Sequence, residues 1–323
     1  MSNNPLQFES VVEDYLHGVR VDSFLIKHFR NYTSYRMQRM VVAGAVQIEG
    51  KTVPLQRRVV RGERVFVRLI EPPDKLYEPE LLPLKIVHED EWLLVLNKPA
   101  GVVVHPVGKR QRGTLTNGVQ HHLDLQTGIR GLLRPGIVHR LDRLTSGLIV
   151  LAKEHLAHRL LSIQFQRGEV KKKYVALLEG CLPNNNGTIA LPIGRAVESD
   201  TILMSAQPNA CNSKSAVTHY EVIKRYTTRT LVKATPQTGR NHQIRVHFAT
   251  IGFPVVNDLF YDINGKFKPK RDQKEECQSE EIRHALHAEQ LTFVHPITHK
   301  KVSYHATLPT EILQLCAGVS NKQ

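Results

Sequence analysis

No run of about 18 apolar residues occurs in the chain, and neither end carries a basic amphipathic stretch, which argues against a membrane span or a surface-anchoring helix. Residues Met1 to Asp14 are polar and slightly acidic, without the positive n-region and apolar stretch of an export signal, so the expected location is the cytoplasm. Cysteine is scarce. The 4 residues Cys181, Cys211, Cys277 and Cys316 are far apart and form no Cys-x-x-Cys pair, as expected of unpaired thiols in a reducing compartment. No internal repeat is present. Acidic residues are outnumbered, 30 against 44 Lys and Arg, giving a formal net charge of +14 and a pI near 9.7. Such an excess calls for an anionic partner, and nucleic acid comes first because cations that neutralise phosphates supply most sequence-independent affinity. Of the 17 histidines, the densest group is His284, His287, His295 and His299. The first two could meet a metal from one helical turn, but no cysteine or Glu-x-x-His pattern accompanies them, so neither metal nor cofactor is expected.

Composition divides the chain of 323 residues, long enough for one large domain and a smaller one. Residues 15–69 read as a compact basic module. A helix runs from about Arg20 to Phe29, and a second from about Ser34 to Ala43, opened by the capping oxygens of Thr33 and Ser34 and closed by Gly44. The alternating segments Ala45 to Ile48 and Arg64 to Val67 read as half-buried strands. Residues 70–83, with Pro72, Pro73, Pro79 and Pro83, read as an extended linker. A large domain of many short strands and few helices follows over 84–311, with a tail over 312–323. Within it, Gly265 to Ile282 is nearly devoid of apolar residues and reads as a mobile surface insertion.

The most informative stretch is Pro135 to Val150, where one carboxylate, Asp142, sits between Arg140 and Arg143 in a short polar loop. Ile137 and Val138 before it and Leu148 to Leu151 after it predict strand, loop, strand. Positive neighbours favour the ionised carboxylate, which suits a nucleophile or electrostatic stabiliser and not a proton donor. Further on, Arg245 lies in a predicted helix from Asn241 to about Thr250, beside the apolar stripe Ile244, Phe248 and Ile251. A half-buried arginine there needs an anion, and Asp142 is the expected bidentate partner. Arg240, after Thr238-Gly239, sits where a helix N-terminus favours a phosphate.

The string His139-Arg140-Leu141-Asp142 resembles the signature loop of the RluA family of pseudouridine synthases, whose aspartate is catalytic. Four other segments resemble the same family in order and spacing: Asn97 to Gly101, Lys172 to Ala176, Thr238 to His247, and Leu286 to Ala288 followed by His295-Pro296. The N-terminal segment resembles the α-L RNA-binding module through Gly18 to Asp22, Ser34 to Arg39, Gly44 to Val46 and Gly62-Glu63. These resemblances imply an α+β chain: a mixed, largely antiparallel sheet for the catalytic domain and a small N-terminal α+β module. They imply isomerisation of uridine to pseudouridine, with Asp142, Tyr174 and Arg245 as catalytic residues and with Lys98, His139, Arg140 and Arg240 on the substrate. Arg20, Arg36 and Arg39 are implied to bind RNA from the module.

The reaction cuts the N1–C1′ bond, turns the uracil and joins C5 to C1′. It is an isomerisation and consumes no cofactor. A carboxylate at C1′ could add covalently, stabilise cationic character, or remove the C2′ proton, and the sequence leaves these open. Tyr174 could stack on uracil and relay the C5 proton, and Arg140 could fill the gap left by an extruded base. The expected substrate is large-subunit ribosomal RNA, with transfer RNA as the alternative within the class. A ribonucleoside hydrolase is a weaker alternative, and a non-catalytic RNA-binding assembly factor is the competitor from another class. A monomer is expected.

Overall fold

The computed structural model describes every residue except 1–5, 30–31, 43, 70–76, 109–110, 128–133, 198–202, 269–282 and 318–323. At the N-terminal end, helices α1 (Val21–His28) and α2 (Ser34–Val42) place Val21, Phe24 and Leu25 of one against Met37, Met40 and Val41 of the other, at the three- and four-residue spacing of a helix face. Thr33 Oγ1 accepts the Arg36 N–H at the start of α2, and Gly44, with φ of 71°, ends it. Under the helices lies a four-stranded sheet in the order β1-β4-β2-β3, made of β1 (Leu6–Val11), β2 (Val46–Ile48), β3 (Lys51–Thr52) and β4 (Arg64–Leu69).

Strand β1 moves the module's expected start from residue 15 back to Leu6, since it pairs with β4 from Leu6↔Leu69 to Val11↔Arg64. It is an edge strand. Phe8 packs on the core while Gln7 and Glu9 are exposed, so the segment reads as polar although it is structured.

A ten-stranded sheet forms the larger part, its main path being β10-β14-β15-β9-β16-β8-β6-β5. Its strands are β5 (Ile86–Glu89), β6 (Leu93–Lys98), β7 (Gly136–Ile137), β8 (Ser146–Ala152), β9 (Lys171–Glu179), β10 (Asn186–Ile189), β14 (Thr218–Arg225), β15 (Arg229–Pro236), β16 (Leu286–Val294) and β17 (Lys301–His305). A separate small sheet holds β11 (Ile193–Arg195), β12 (Met204–Ser205) and β13 (Cys211–Lys214). Every ladder of the large sheet is antiparallel except β16 on β8. The expected α+β class, with a mixed and largely antiparallel sheet, is the one observed.

Both faces are covered. On one, α4 (His155–Gln166) sets Ala157 and Leu161 against Leu93, Val95, Leu148 and Val150. On the other, α3 (Leu115–Thr127), α5 (Gln243–Thr250) and α6 (Thr310–Ala317) bring Val119, Phe248 and Ile312 into one core with Leu94, Leu96, Ile149, Leu151 and Val232, with Phe248 against Tyr220. Helix α6 corrects the expected tail over 312–323, because Ile312 and Cys316 lie in the main core. The expected linker over 70–83 falls partly outside the described residues. Its later part is docked: Asn117 Nδ2 donates to the Glu78 carbonyl, and the Glu80 carboxylate accepts the Gly113 N–H. Most of the expected insertion at 265–282 also lies outside the described residues.

The parallel contact fixes one backbone feature of the site. At Gly147 φ is 116°, and a Cβ there would stand 2.3 Å from the Ala288 carbonyl oxygen. Only glycine lets β8 approach β16 so closely, directly after the Asp142 loop.

Candidate active site

The loop from Val138 to Thr145 bridges β7 and β8, which pair with each other as Gly136↔Ala152 and Ile137↔Leu151. Leu141 and Leu144 are buried, so the loop is anchored by two leucines while Asp142 faces the cleft. The Thr145 N–H closes a turn on the Asp142 carbonyl at 3.1 Å. From behind, Thr145 Oγ1 lies 2.7 Å from His284 Nε2, and Ser146 Oγ lies 2.7 Å from His287 Nδ1 while accepting from Arg283. Two members of the dense histidine group thus brace the loop, and His295 bonds Asp90 at 3.0 Å.

Lys98 requires a correction. Expected on the substrate, it is 0% exposed, and its ammonium donates to the carbonyls of Pro99 (2.8 Å), Val102 (2.9 Å) and Arg143 (3.1 Å). Burial pulls its pKa down to about 7, opposed by the Asp142 carboxylate. Three carbonyls need three protons, which only the ammonium supplies. Lys98 therefore holds the backbone one residue beyond Asp142 and does not reach RNA in this conformation. His139 is also a brace. Its Nε2 accepts the Val150 N–H at 3.0 Å, and its ring stacks on Phe165 with centroids 4.6 Å apart. Burial, with the charge of Lys172, drives its pKa down to about 3, as an acceptor nitrogen requires. It still lines the cleft wall.

Arg245 lies on α5 with its side chain 3% exposed and donates through Nη1 to Asp142 Oδ2 at 2.9 Å. The bidentate contact expected with Asp142 belongs instead to Asp258, which accepts from Nε at 2.6 Å and Nη2 at 2.8 Å. Asp258 is itself fixed by the N–H groups of Phe260 (2.9 Å) and Tyr261 (3.2 Å). The guanidinium is thus clamped along one edge and presents a single N–H to Asp142. The Asp142 side chain is 27% exposed. Burial alone would raise its pKa, but the fields of His242, Arg245 and His284 and the Arg245 hydrogen bond hold it well below the usual carboxylate range. Burial lowers the His242 pKa, so that ring is neutral near pH 7 and the weight of the effect falls on Arg245.

His242 is a site residue that the sequence did not reveal. It stands at φ 54°, a left-handed conformation rare for a residue with a side chain. Its Nε2 is 4.0 Å from Asp142 Oδ2, and its Nδ1 is 2.7 Å from the Tyr261 hydroxyl, which accepts the Met204 N–H. Gln243 pins the turn before α5. Its Oε1 accepts from Thr238 Oγ1 and the Arg240 N–H, and its Nε2 donates to the Val217 carbonyl and Thr218. Arg240 N is therefore taken, and its Nε donates to the Ser215 carbonyl at 3.0 Å. Arg140 is exposed and donates to Asn241 Oδ1 at 2.5 Å. Tyr174, on β9, is 9% exposed; burial, aided by the Asp142 carboxylate, pushes its hydroxyl pKa well up, so it is a neutral phenol.

These groups line one open cleft of about 820 Å³. Arg140, Arg167, Lys172, Arg240 and Arg245 line it, and Asp142 is the one carboxylate among its lining residues. Asp142, Tyr174, Arg245, Arg140, Arg240 and His139 are thus brought together, with Lys98 packed below. The N-terminal candidates are not among them. Arg20 is engaged by both oxygens of Asp22, at 3.0 and 2.8 Å. Arg36 lies over the Tyr32 ring at 4.1 Å, and the Arg39 side chain lies outside the described residues. Among the described residues, no helix is long and apolar enough to cross a membrane.

A basic open cleft with one ionised carboxylate at its floor, set against the central strands of a mixed sheet, defines an enzyme site for a polyanionic substrate. The chain belongs to the RNA pseudouridylate synthase family, whose sequence pattern matches residues 92–250. It is 38% identical over 304 residues to an uncharacterised RNA pseudouridine synthase of Bacillus subtilis (strain 168), YlyB, covering 92% of each chain. It is 35% identical over 302 residues to ribosomal large subunit pseudouridine synthase D of Pasteurella multocida (strain Pm70), covering 92% of this chain and 90% of that one. Among solved structures it resembles human RNA pseudouridylate synthase domain containing 4, with a TM-score of 0.58 and 26% identity over 73% of this chain and 92% of that one. Its activity is that of an RNA pseudouridine synthase, an isomerase.

Proposed function

We propose that this enzyme converts uridines of large-subunit ribosomal RNA to pseudouridine, with Asp142 as the group that acts at C1′ or C2′ of the target nucleotide. The observation that carries the reading is the ionised Asp142 carboxylate, held by one N–H of an arginine that Asp258 has clamped, at the floor of a basic cleft. The named relative from Pasteurella multocida supports the ribosomal substrate.

In this reading the carboxylate helps break the N1–C1′ bond, either by adding to C1′ or by taking the C2′ proton to leave a glycal. The uracil turns within the cleft, and C5 joins C1′ as the bond from C1′ to the Asp142 oxygen breaks or, from the glycal, as Asp142 returns the proton to C2′. The C5 proton then leaves and N1 gains one, so the atoms of substrate and product balance and no cofactor is consumed. Tyr174, neutral and beside the carboxylate, stacks on the uracil and relays the C5 proton. Arg140, exposed at the cleft mouth, enters the gap left by the extruded base, and Arg240 takes a backbone phosphate. The N-terminal module adds contacts through Arg20, Arg36 and Arg39. All the cleft groups come from one chain, so a monomer acting in the cytoplasm suffices.

The test is incubation of purified protein with ribosomal and transfer RNA from cells lacking the gene, followed by mapping of new pseudouridines. New sites in large-subunit RNA alone are expected. Sites in transfer RNA alone would overturn the substrate assignment, and undiminished RNA binding without modification would leave a binding factor.

A further inference from the structure

Lys172 is the cleft cation that has neither a hydrogen-bond acceptor nor a carboxylate among the described residues. It lies two residues before Tyr174 on β9, so both side chains leave the same face of the strand, about 7 Å apart along it, and both line the cleft. The side chain is half-buried. The other cleft cations have partners: Arg140 has Asn241, Arg240 the Ser215 carbonyl, Arg245 two carboxylates, and Arg167 lies 3.8 Å from Glu169. Among the described residues none offers the Lys172 ammonium an acceptor or a carboxylate. Burial lowers its pKa with no anion opposing the fall, and its charge depresses the neighbouring His139. Its Nζ does not trail into solvent. It stands 3.5 Å from the position that a Cβ on Gly239 would occupy, over the Thr238-Gly239-Arg240 turn and across from Asp142. A cation held this way has paid part of its dehydration before any ligand arrives, which favours an anion entering the cleft.

We propose that Lys172 binds a phosphodiester of the RNA strand adjoining the target uridine, and so sets the register of that nucleotide against Tyr174 and Asp142. The inference rests on the functional reading above and adds a phosphate subsite to it. The second bracket of that subsite is the backbone at Gly239, where the absence of a side chain leaves room for a phosphate beside Nζ.

The test uses full-length protein in the D142N background, so that binding is read without turnover, and a short RNA carrying one target uridine. Affinity is measured against salt for Lys172 and for K172M and K172R. Each phosphate contact contributes about 0.7 to 0.9 to the slope of log affinity on log salt. K172M should lower the slope by about that much, and K172R should restore it. A methylphosphonate walked along the strand should weaken the Lys172 protein at one position next to the target and leave K172M unaffected there. Thermal unfolding gives an independent readout. An unanswered cation costs stability, so K172M should melt no lower than its parent, whereas a lysine serving the fold would melt lower. An unchanged salt slope, or methylphosphonate effects that are the same in both proteins at every position, would overturn the proposal. Failure of the wild-type protein to form pseudouridine would overturn the functional reading instead, and is read in a separate reaction.

Discussion

Asp258→Asn tests the clamp that makes Arg245 useful. The change keeps the shape of the side chain and removes its charge. Asp258 is wholly buried, and it accepts four hydrogen bonds, two from Arg245 and two from backbone N–H groups. An asparagine carries one acceptor oxygen and turns an NH₂ toward donors, so at least one N–H group, that of Arg245 Nε at the Oδ2 position, faces another donor. Breaking a buried ion pair from one side costs about 3–5 kcal/mol, because the remaining charge stays buried and unpaired. Here Asp142 still offers Arg245 one anion, which places the expected loss toward the lower end. With roughly 2–4 °C of Tm per kcal/mol for a larger domain, Tm should fall by about 6–12 °C. Arg245 should then swing toward Asp142, and turnover should fall more than RNA affinity. The assay is thermal unfolding paired with single-turnover pseudouridine formation. The double variant D258N/R245M should recover much of the stability, since it removes both charges, yet stay as slow as R245M alone. A D258N protein that melts within a degree or two of wild type, or a double variant no more stable than D258N, would refute the clamp.

Three further outcomes follow from the same geometry. Asp142 is held well below the usual carboxylate range, so its charge is present at and above that range and is lost only as pH falls below it. The single-turnover rate of wild type should therefore show no acid limb from Asp142 between about pH 5 and 8, while R245M should develop one there, because without Arg245 burial raises the carboxyl above its ordinary value of about 4; identical profiles would remove Arg245 from the electrostatic account. Arg140→Ala should slow turnover strongly on a paired target uridine and little on an unpaired one, because base extrusion costs roughly a few kcal/mol only in the duplex; equal slowing on both would end the gap-filling role. Lys98→Met should lower stability by about 1–3 kcal/mol, as the carbonyls it serves lose their donor, and should cut turnover more than binding, and a chemical-denaturation midpoint equal to wild type would contradict its place as a brace.

What could be read from the sequence divides along the distance between cause and effect. The Asp142 loop is local: its apolar flanks predict strand, loop, strand, and β7 and β8 supply it. The predicted helix beginning at Asn241 appears as α5 from Gln243, two residues late because His242 is left-handed. The need of Arg245 for an anion was legible, but the identity of its main partner was not. Asp258 is 13 residues away and reaches the guanidinium only after the chain turns back beyond α5. Its one signal is a carboxylate at the end of the apolar run Phe253 to Val256. Lys98 carried a similar signal, a charge closing a buried strand, yet a motif match drew it toward the substrate. Edge strand β1 escaped because it buries only one side, leaving a mixed pattern that reads as polar, and helix α6 because its eight residues are a short apolar stretch at the end of the domain.

The most direct measurement of the central claim is tritium release from RNA labelled at uridine C5, since joining C5 to C1′ must expel the C5 hydrogen. Wild-type protein and Asp142→Asn would be compared on large-subunit ribosomal RNA from cells lacking the gene, with binding measured alongside. Release by wild type, with none above background from the variant at undiminished RNA affinity, is the expected result. Release by Asp142→Asn at a rate near that of wild type would contradict the assignment of the chemistry to that carboxylate.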